Sequence, residues 1–191
     1  MDLSTVIKER RSIRQFKDEA VSREVLEEVL ELATWAPSAM NGQKWKFFVV
    51  QGTQKDAFLE ISASAFEAFK PLLEKNFKDK PKVIDGMKTF FETYGNAPVI
   101  VMAYAGKMPG GNDDDVYSVS MAVQNLMLAA REKGLGASWT DGVVFYKADE
   151  INALLGVDDM KLVCVVPLGY PAETPKAPPR KPGRVEWVGF E

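Results

Sequence analysis

The chain reads as an α+β domain. Two helical periods precede the first strand, helices outnumber strands, and no regular strand–helix alternation runs along the sequence, so a parallel βαβ sheet is not expected. Leu3, Val6 and Ile7 share one helical face that Asp2 or Ser4 can cap, and this helix is expected to end near Arg11. Ser22 is the N-cap of a second, in which Val25, Leu26, Val29, Leu30 and Ala33 form the apolar stripe and Pro37 marks the end. Trp45 to Gln51 reads as a buried strand through the contiguous Phe47, Phe48, Val49 and Val50, with Gly52 after it. Trp45 belongs to the core on this reading.

Phe58, Ile61, Ala65 and Phe69 mark a third helix; Val83, Ile84, Met87, Phe90, Phe91 and Tyr94 mark a fourth that stops at Gly95. Val99 to Tyr104 is a second buried strand, and Asp113 to Asp115 read as a cap for the following helix, not as metal ligands. That helix is apolar on most sides from Val116 to Ala130, as a central helix or a subunit interface is. Ala137 to Phe145 is expected as a strand interrupted at Asp141-Gly142, then a short helix from about Ala148 to Leu155, then a core strand from Leu162 to Pro167.

At 191 residues the chain suits one domain over 1–191, with 171–191 a Pro-rich arm. The stretch from Pro171 to Pro182 holds five prolines, its two ends included, and Val185, Trp187, Val188 and Phe190 then return as a sticky terminal strand. Exposing that Trp and Phe is costly, so the arm is expected to dock on a partner subunit and not on its own domain.

Composition narrows the function. With 24 Lys+Arg against 27 Asp+Glu the net charge is −3, too mild to argue for nucleic acid or an anionic membrane as partner. No apolar stretch approaches the ~18 residues that span a bilayer, and the N-terminus lacks a leader pattern, so a cytoplasmic chain is expected. The sequence has no histidine, which removes Ser-His and Cys-His catalysis and the commonest metal ligand. Its one cysteine, Cys164, sits in an apolar run and reads as a packed thiol. The spaced-glycine dinucleotide fingerprint after a strand is missing. Chemistry is therefore expected to come from a bound group. Arg10, Arg11, Ser12 and Arg14 put three arginines into five residues at one helix end, and guanidinium forks with a hydroxyl suit a phosphate. The polar loop Pro37, Ser38, Asn41, Gln43 follows the next helix. Arg11 stays open between that site and an ion pair with a helix carboxylate such as Glu31.

Several segments carry a resemblance in order along nearly the whole chain: Arg10 to Phe16, Ala36 to Trp45, Gly134 to Trp139, Pro167 to Pro171 and Pro179 to Pro182. They resemble the FMN-dependent nitroreductases of the small type. Lys55 to Gly95 carries no match. The resemblance implies a mixed, mostly antiparallel sheet wrapped by helices in an intertwined homodimer, with two FMN sites at the interface. It implies cofactor-binding positions at Arg10, Arg11, Ser12, Arg14, Pro37, Ser38, Ala39, Asn41, Thr140, Asp141, Gly142 and Arg180, the Pro37 to Asn41 loop coming from the other subunit. Arg10 and Arg180 would be phosphate ligands, Arg14 would approach the pyrimidine edge, and the Thr140 to Gly142 backbone would face flavin N5. Pro178 stands where some members have a second basic ligand, and Asp141 is acidic beside that edge. The implied activity is hydride transfer from NADH or NADPH to a nitroaromatic, quinone or similar small-molecule acceptor by a ping-pong mechanism, with no metal and no obligatory side-chain acid or base. Reductive dehalogenation or flavin breakdown, with residues 69–82 as a lid, and non-enzymatic flavin binding or redox sensing are the alternatives.

Overall fold

The computed structural model describes residues 1–190. Six α-helices surround one four-stranded sheet: α1 (Leu3–Glu9), α2 (Arg23–Thr34), α3 (Gly52–Asn76), α4 (Pro81–Thr93), α5 (Val116–Glu132) and α6 (Val144–Leu155), with β1 (Trp45–Val50), β2 (Val99–Ala105), β3 (Gly136–Ala137) and β4 (Lys161–Gly169). The strand order is β1-β2-β4-β3 and every ladder is antiparallel. The parallel element is a single bridge between Ser12 and Ala137.

The sheet is a middle layer, and period-two alternation along β2 shows why. Val99, Val101, Ala103 and Ala105 join the core formed with α2 and α5, whereas Ile100, Met102 and Tyr104 join the core formed with α3, α4 and α6. All seven residues of β2 are buried. The caps predicted for the helices are present: Asp2 accepts from Thr5 N, Ser22 from Val25 N, and Asp115 from Ser118 N. Cys164 is fully buried, and that burial raises its pKa well above the ordinary thiol value.

Four expectations are corrected. The first strand is not buried: β1 lies at the sheet edge, so Trp45, Phe47 and Phe48 are half-buried and Val49 is exposed. The expected strand from Ala137 to Phe145 is two residues of β3 plus a bridge from Thr140 to Val165. After it the Asp141 carbonyl accepts from Val144 N and Phe145 N, which turns the β-branched run into α6 four residues earlier than Ala148. A non-helical Lys147, φ −137°, kinks α6 at that point. Finally, the terminal apolar residues form no strand; Val185, Trp187, Val188 and Phe190 all lie exposed, with Trp187 and Phe190 edge to face. Among the described residues, no helix is long and apolar enough to cross a membrane.

Candidate cofactor site

The segment after α1 is laced into the sheet by main-chain bonds. Ile13 N donates to Ala137 O, Phe16 N to Gly95 O, Lys17 N to Tyr170 O, and Gln15 O accepts from Ala172 N. Glu173 completes the lacing, its Oε1 accepting from Arg14 N at 2.5 Å and Gln15 N at 3.1 Å. Sequence reasoning missed Glu173, because an acidic residue among prolines carries no local signal of a contact 159 positions away. Gly95 is required here: its φ is +65°, and a Cβ on it would stand 1.9 Å from Arg14 O.

This backbone presents Arg10, Arg11, Ser12 and Arg14 to a cavity of about 570 Å³ whose opposite wall is the arm, through Lys176, Pro178 and Arg180. No carboxylate pairs with Arg10, Arg14 or Arg180 among the described residues. Burial, then the charges of Arg11 and Arg180, push the Arg10 guanidinium below its ordinary pKa. Cations gathered without a counter-charge destabilise the empty chain, and an anion relieves them. Arg11 lines this cavity, and its guanidinium also makes contacts of its own. Its Nη1 donates to Lys8 O and Arg10 O, both at 2.7 Å, closing the end of α1, while its buried Nε has no partner. Glu31 instead accepts from Trp35 Nε1, so the ion pair to Arg11 is not formed.

The Thr140 to Gly142 turn follows β3, whose Ala137 bridges Ser12 and accepts from Ile13 N of this wall. Thr140 is bound to β4, its N–H and hydroxyl both donating to Val165 O at 2.9 and 2.5 Å. The N–H groups of Asp141 and Gly142 have no acceptor among the described residues. The Asp141 carboxylate accepts from Trp139 Nε1 at 3.2 Å. Gly142 sits against the Phe91 ring, where a Cβ would come within 3.1 Å of Cζ.

The Pro37 to Asn41 loop is elsewhere. Ala39 N donates to Ser118 Oγ at the start of α5, and Ser38 Oγ accepts from Gln43 N. The arginines lie at the other end of α5, where Arg131 pairs with Glu9 at 2.8 Å and lines a second cavity with Arg10 and Arg11. Ser118 and Arg131 are thirteen residues apart on α5, about 20 Å at ~1.5 Å per residue. One chain therefore brings together Arg10, Arg11, Ser12, Arg14 and Arg180, attaches Thr140, Asp141 and Gly142 to them, and leaves Pro37, Ser38, Ala39 and Asn41 apart.

An α+β sheet sheathed by helices, carrying an arginine-lined pocket, defines a scaffold suited to an anionic ligand. The sequence model of the Nitroreductase family matches residues 7–170, and the chain belongs to that family. It is 32% identical to a Bacillus subtilis (strain 168) protein provisionally named NAD(P)H nitroreductase YfhC, over 95% of this chain and 91% of that one. It is 28% identical to an iodotyrosine deiodinase of Thermotoga neapolitana, over 98% of both. Among solved structures, the FMN and NADPH-dependent nitroreductase NfnB from Sphigopyxis sp. strain HMH superposes with a TM-score of 0.81 at 25% identity, covering 100% of both chains.

Proposed function

We propose that this chain is an FMN-dependent oxidoreductase that takes hydride from NADH or NADPH and passes it to a nitroaromatic, quinone or similar small-molecule acceptor, working as a homodimer. The observation that carries the reading is the gathering of Arg10, Arg11, Ser12, Arg14 and Arg180 around one cavity with no carboxylate to neutralise them. FMN, when bound, supplies hydride acceptance and donation at its N5. Arg10 and Arg180 hold the phosphate, with Ser12 as a hydroxyl donor. Arg14 faces the pyrimidine edge, where a guanidinium stabilises negative charge that develops on reduction. The open N–H groups of the Asp141-Gly142 turn supply the donors toward N5.

The Pro37 to Asn41 loop reaches such a site only from a second copy, since α5 separates it from its own arginines. The exposed Val185, Trp187, Val188 and Phe190, with the half-open edge β1, offer the apolar surface that a tight dimer buries. Nicotinamide and acceptor use one open face in turn, which gives ping-pong kinetics. Purified protein tests the reading directly: it is expected to be yellow, to bleach anaerobically with NADH or NADPH, and to regain colour when an acceptor is added. Colourless protein that does not bind added FMN sinks it; yellow protein that neither nicotinamide bleaches is a binding protein without turnover.

A further inference from the structure

Glu173 stands at the branch between the sheet and the arm. Just before it, main-chain bonds tie the chain to the arginine segment: Lys17 N donates to Tyr170 O, and Ala172 N to Gln15 O. Glu173 adds the last tie, its Oε1 accepting from Arg14 N and Gln15 N, which have no other acceptor among the described residues. Beyond it, the arm makes no hydrogen bond to the rest of the chain among the described residues, and the Arg180 guanidinium donates to Pro178 O of the arm itself, at 3.0 Å. Six residues separate Glu173 from Arg180, and three of them are Pro175, Pro178 and Pro179. A Pro-rich segment is semi-rigid, so the point where it is anchored decides where Arg180 arrives.

The two walls of the arginine cavity are therefore held differently. The wall of Arg10, Ser12 and Arg14 keeps its place without Glu173, because Ile13 N is bound to Ala137 O and Phe16 N to Gly95 O. The arm wall has Glu173 as its last anchor. That carboxylate is engaged by main-chain N–H groups and pairs with no guanidinium among the described residues, so it fastens the arm without neutralising the arginines. We propose that Glu173 is a positioning residue for the phosphate clamp: it latches the arm to the main chain of Arg14 and Gln15, and so sets the gap across which Arg180 faces Arg10. This rests on the reading of that cavity as the FMN phosphate site. A phosphate that bridges both walls is sensitive to the gap, whereas a flavin ring held from the fixed wall is not. Loss of the latch therefore weakens FMN and leaves riboflavin, which has the same ring and no phosphate, nearly unchanged.

The test is Glu173→Ala in the full chain, with FMN and riboflavin as the two probes. Arg14 and Gln15 are exposed, so water can replace the carboxylate at their N–H groups and the variant is expected to fold. FMN binding should weaken about tenfold and riboflavin binding by less than about twofold. Glu173→Gln keeps an acceptor oxygen at the same reach and should bring FMN affinity back to within about threefold of the parent. Added to Arg180→Ala, Glu173→Ala should cost no further affinity, because the two act through one contact. Glu173→Asp shortens the tie by one methylene and carries the test if the alanine variant does not fold, with the same split between the two flavins. FMN affinity within about twofold of the parent, equal losses for both flavins, or additive losses in the double variant each overturn the proposal. A parent chain that binds no FMN fails the flavin reading and this proposal together, whereas FMN binding that Glu173→Ala leaves intact fails the latch alone.

Discussion

The two ends of α5 are held in different ways. At its C-terminal end the Arg10 to Phe16 segment is tied down by bonds to β3, to Gly95 and to Glu173, with Arg131 clamping Glu9. At its N-terminal end the Pro37 to Gln43 loop has few ties, and Met40, Asn41 and Gln43 all adopt left-handed φ values of 52, 52 and 46°. Met40 is 85% exposed. Charge is gathered where the backbone is locked, and backbone strain is left where an apolar side chain faces outward. A locked wall suits a ligand whose phosphate must be met in one geometry. A strained, exposed loop suits a surface that another copy of the chain completes.

The largest expected effect breaks the locked end. Gly95→Ala combines an unfavourable φ with a clash against Arg14 O, and should cost more than about 3 kcal/mol or prevent folding; a urea midpoint near that of the parent would show that the Arg14 contact can yield. Next, truncation before Val185 removes two aromatic and two β-branched side chains that are exposed in one chain. Their burial against a partner is worth several kcal/mol, so the dimer dissociation constant should rise by about 100-fold or more, read by sedimentation equilibrium. A dimer as tight as the parent contradicts the docking of the arm.

A third experiment sets the two ends against each other. Arg180→Ala should weaken FMN binding by about 1.5–3 kcal/mol, the range for a lost charge-assisted bond, and Asn41→Ala should weaken it too. If the loop serves the partner's site, a mixed dimer of these two variants has one intact site and one doubly damaged site. Titration should then find half the sites at parental affinity. Two equally weakened sites would place the loop and the arginines in the same chain's site. The smallest effect is at the strained end: Met40→Gly relieves left-handed strain at some entropic cost, and should raise stability by under about 1 kcal/mol. A lower denaturation midpoint would mean that the Met40 side chain already makes a stabilising contact.

Much of this was legible along the chain. The caps at Asp2, Ser22 and Asp115 and the apolar stripes of α2 to α5 are short-range patterns, and they stand where local chemistry places them. The arginine cluster was legible for the same reason, because three like charges in five residues ask for a counter-ion. Where reading failed, tertiary context decided. Contiguous apolar residues made β1 look central, but the strand order puts it at an edge. β-branched Val143 and Val144 looked like strand until the Asp141 carbonyl turned them into α6. Glu173 was invisible because its partners are distant in sequence.

The amino-acid sequence by itself determined the α+β class, the helix caps and the residues of an anion clamp, since these depend on neighbours a few positions apart. Only the tertiary structure decided which of those residues meet. It brought Arg180 to Arg10 across an arm of prolines, and it left the Pro37 to Asn41 loop about 20 Å away along α5. The physical reason is that α5 is a rigid rod buried against the sheet, and a contact across it depends on packing that no local pattern encodes.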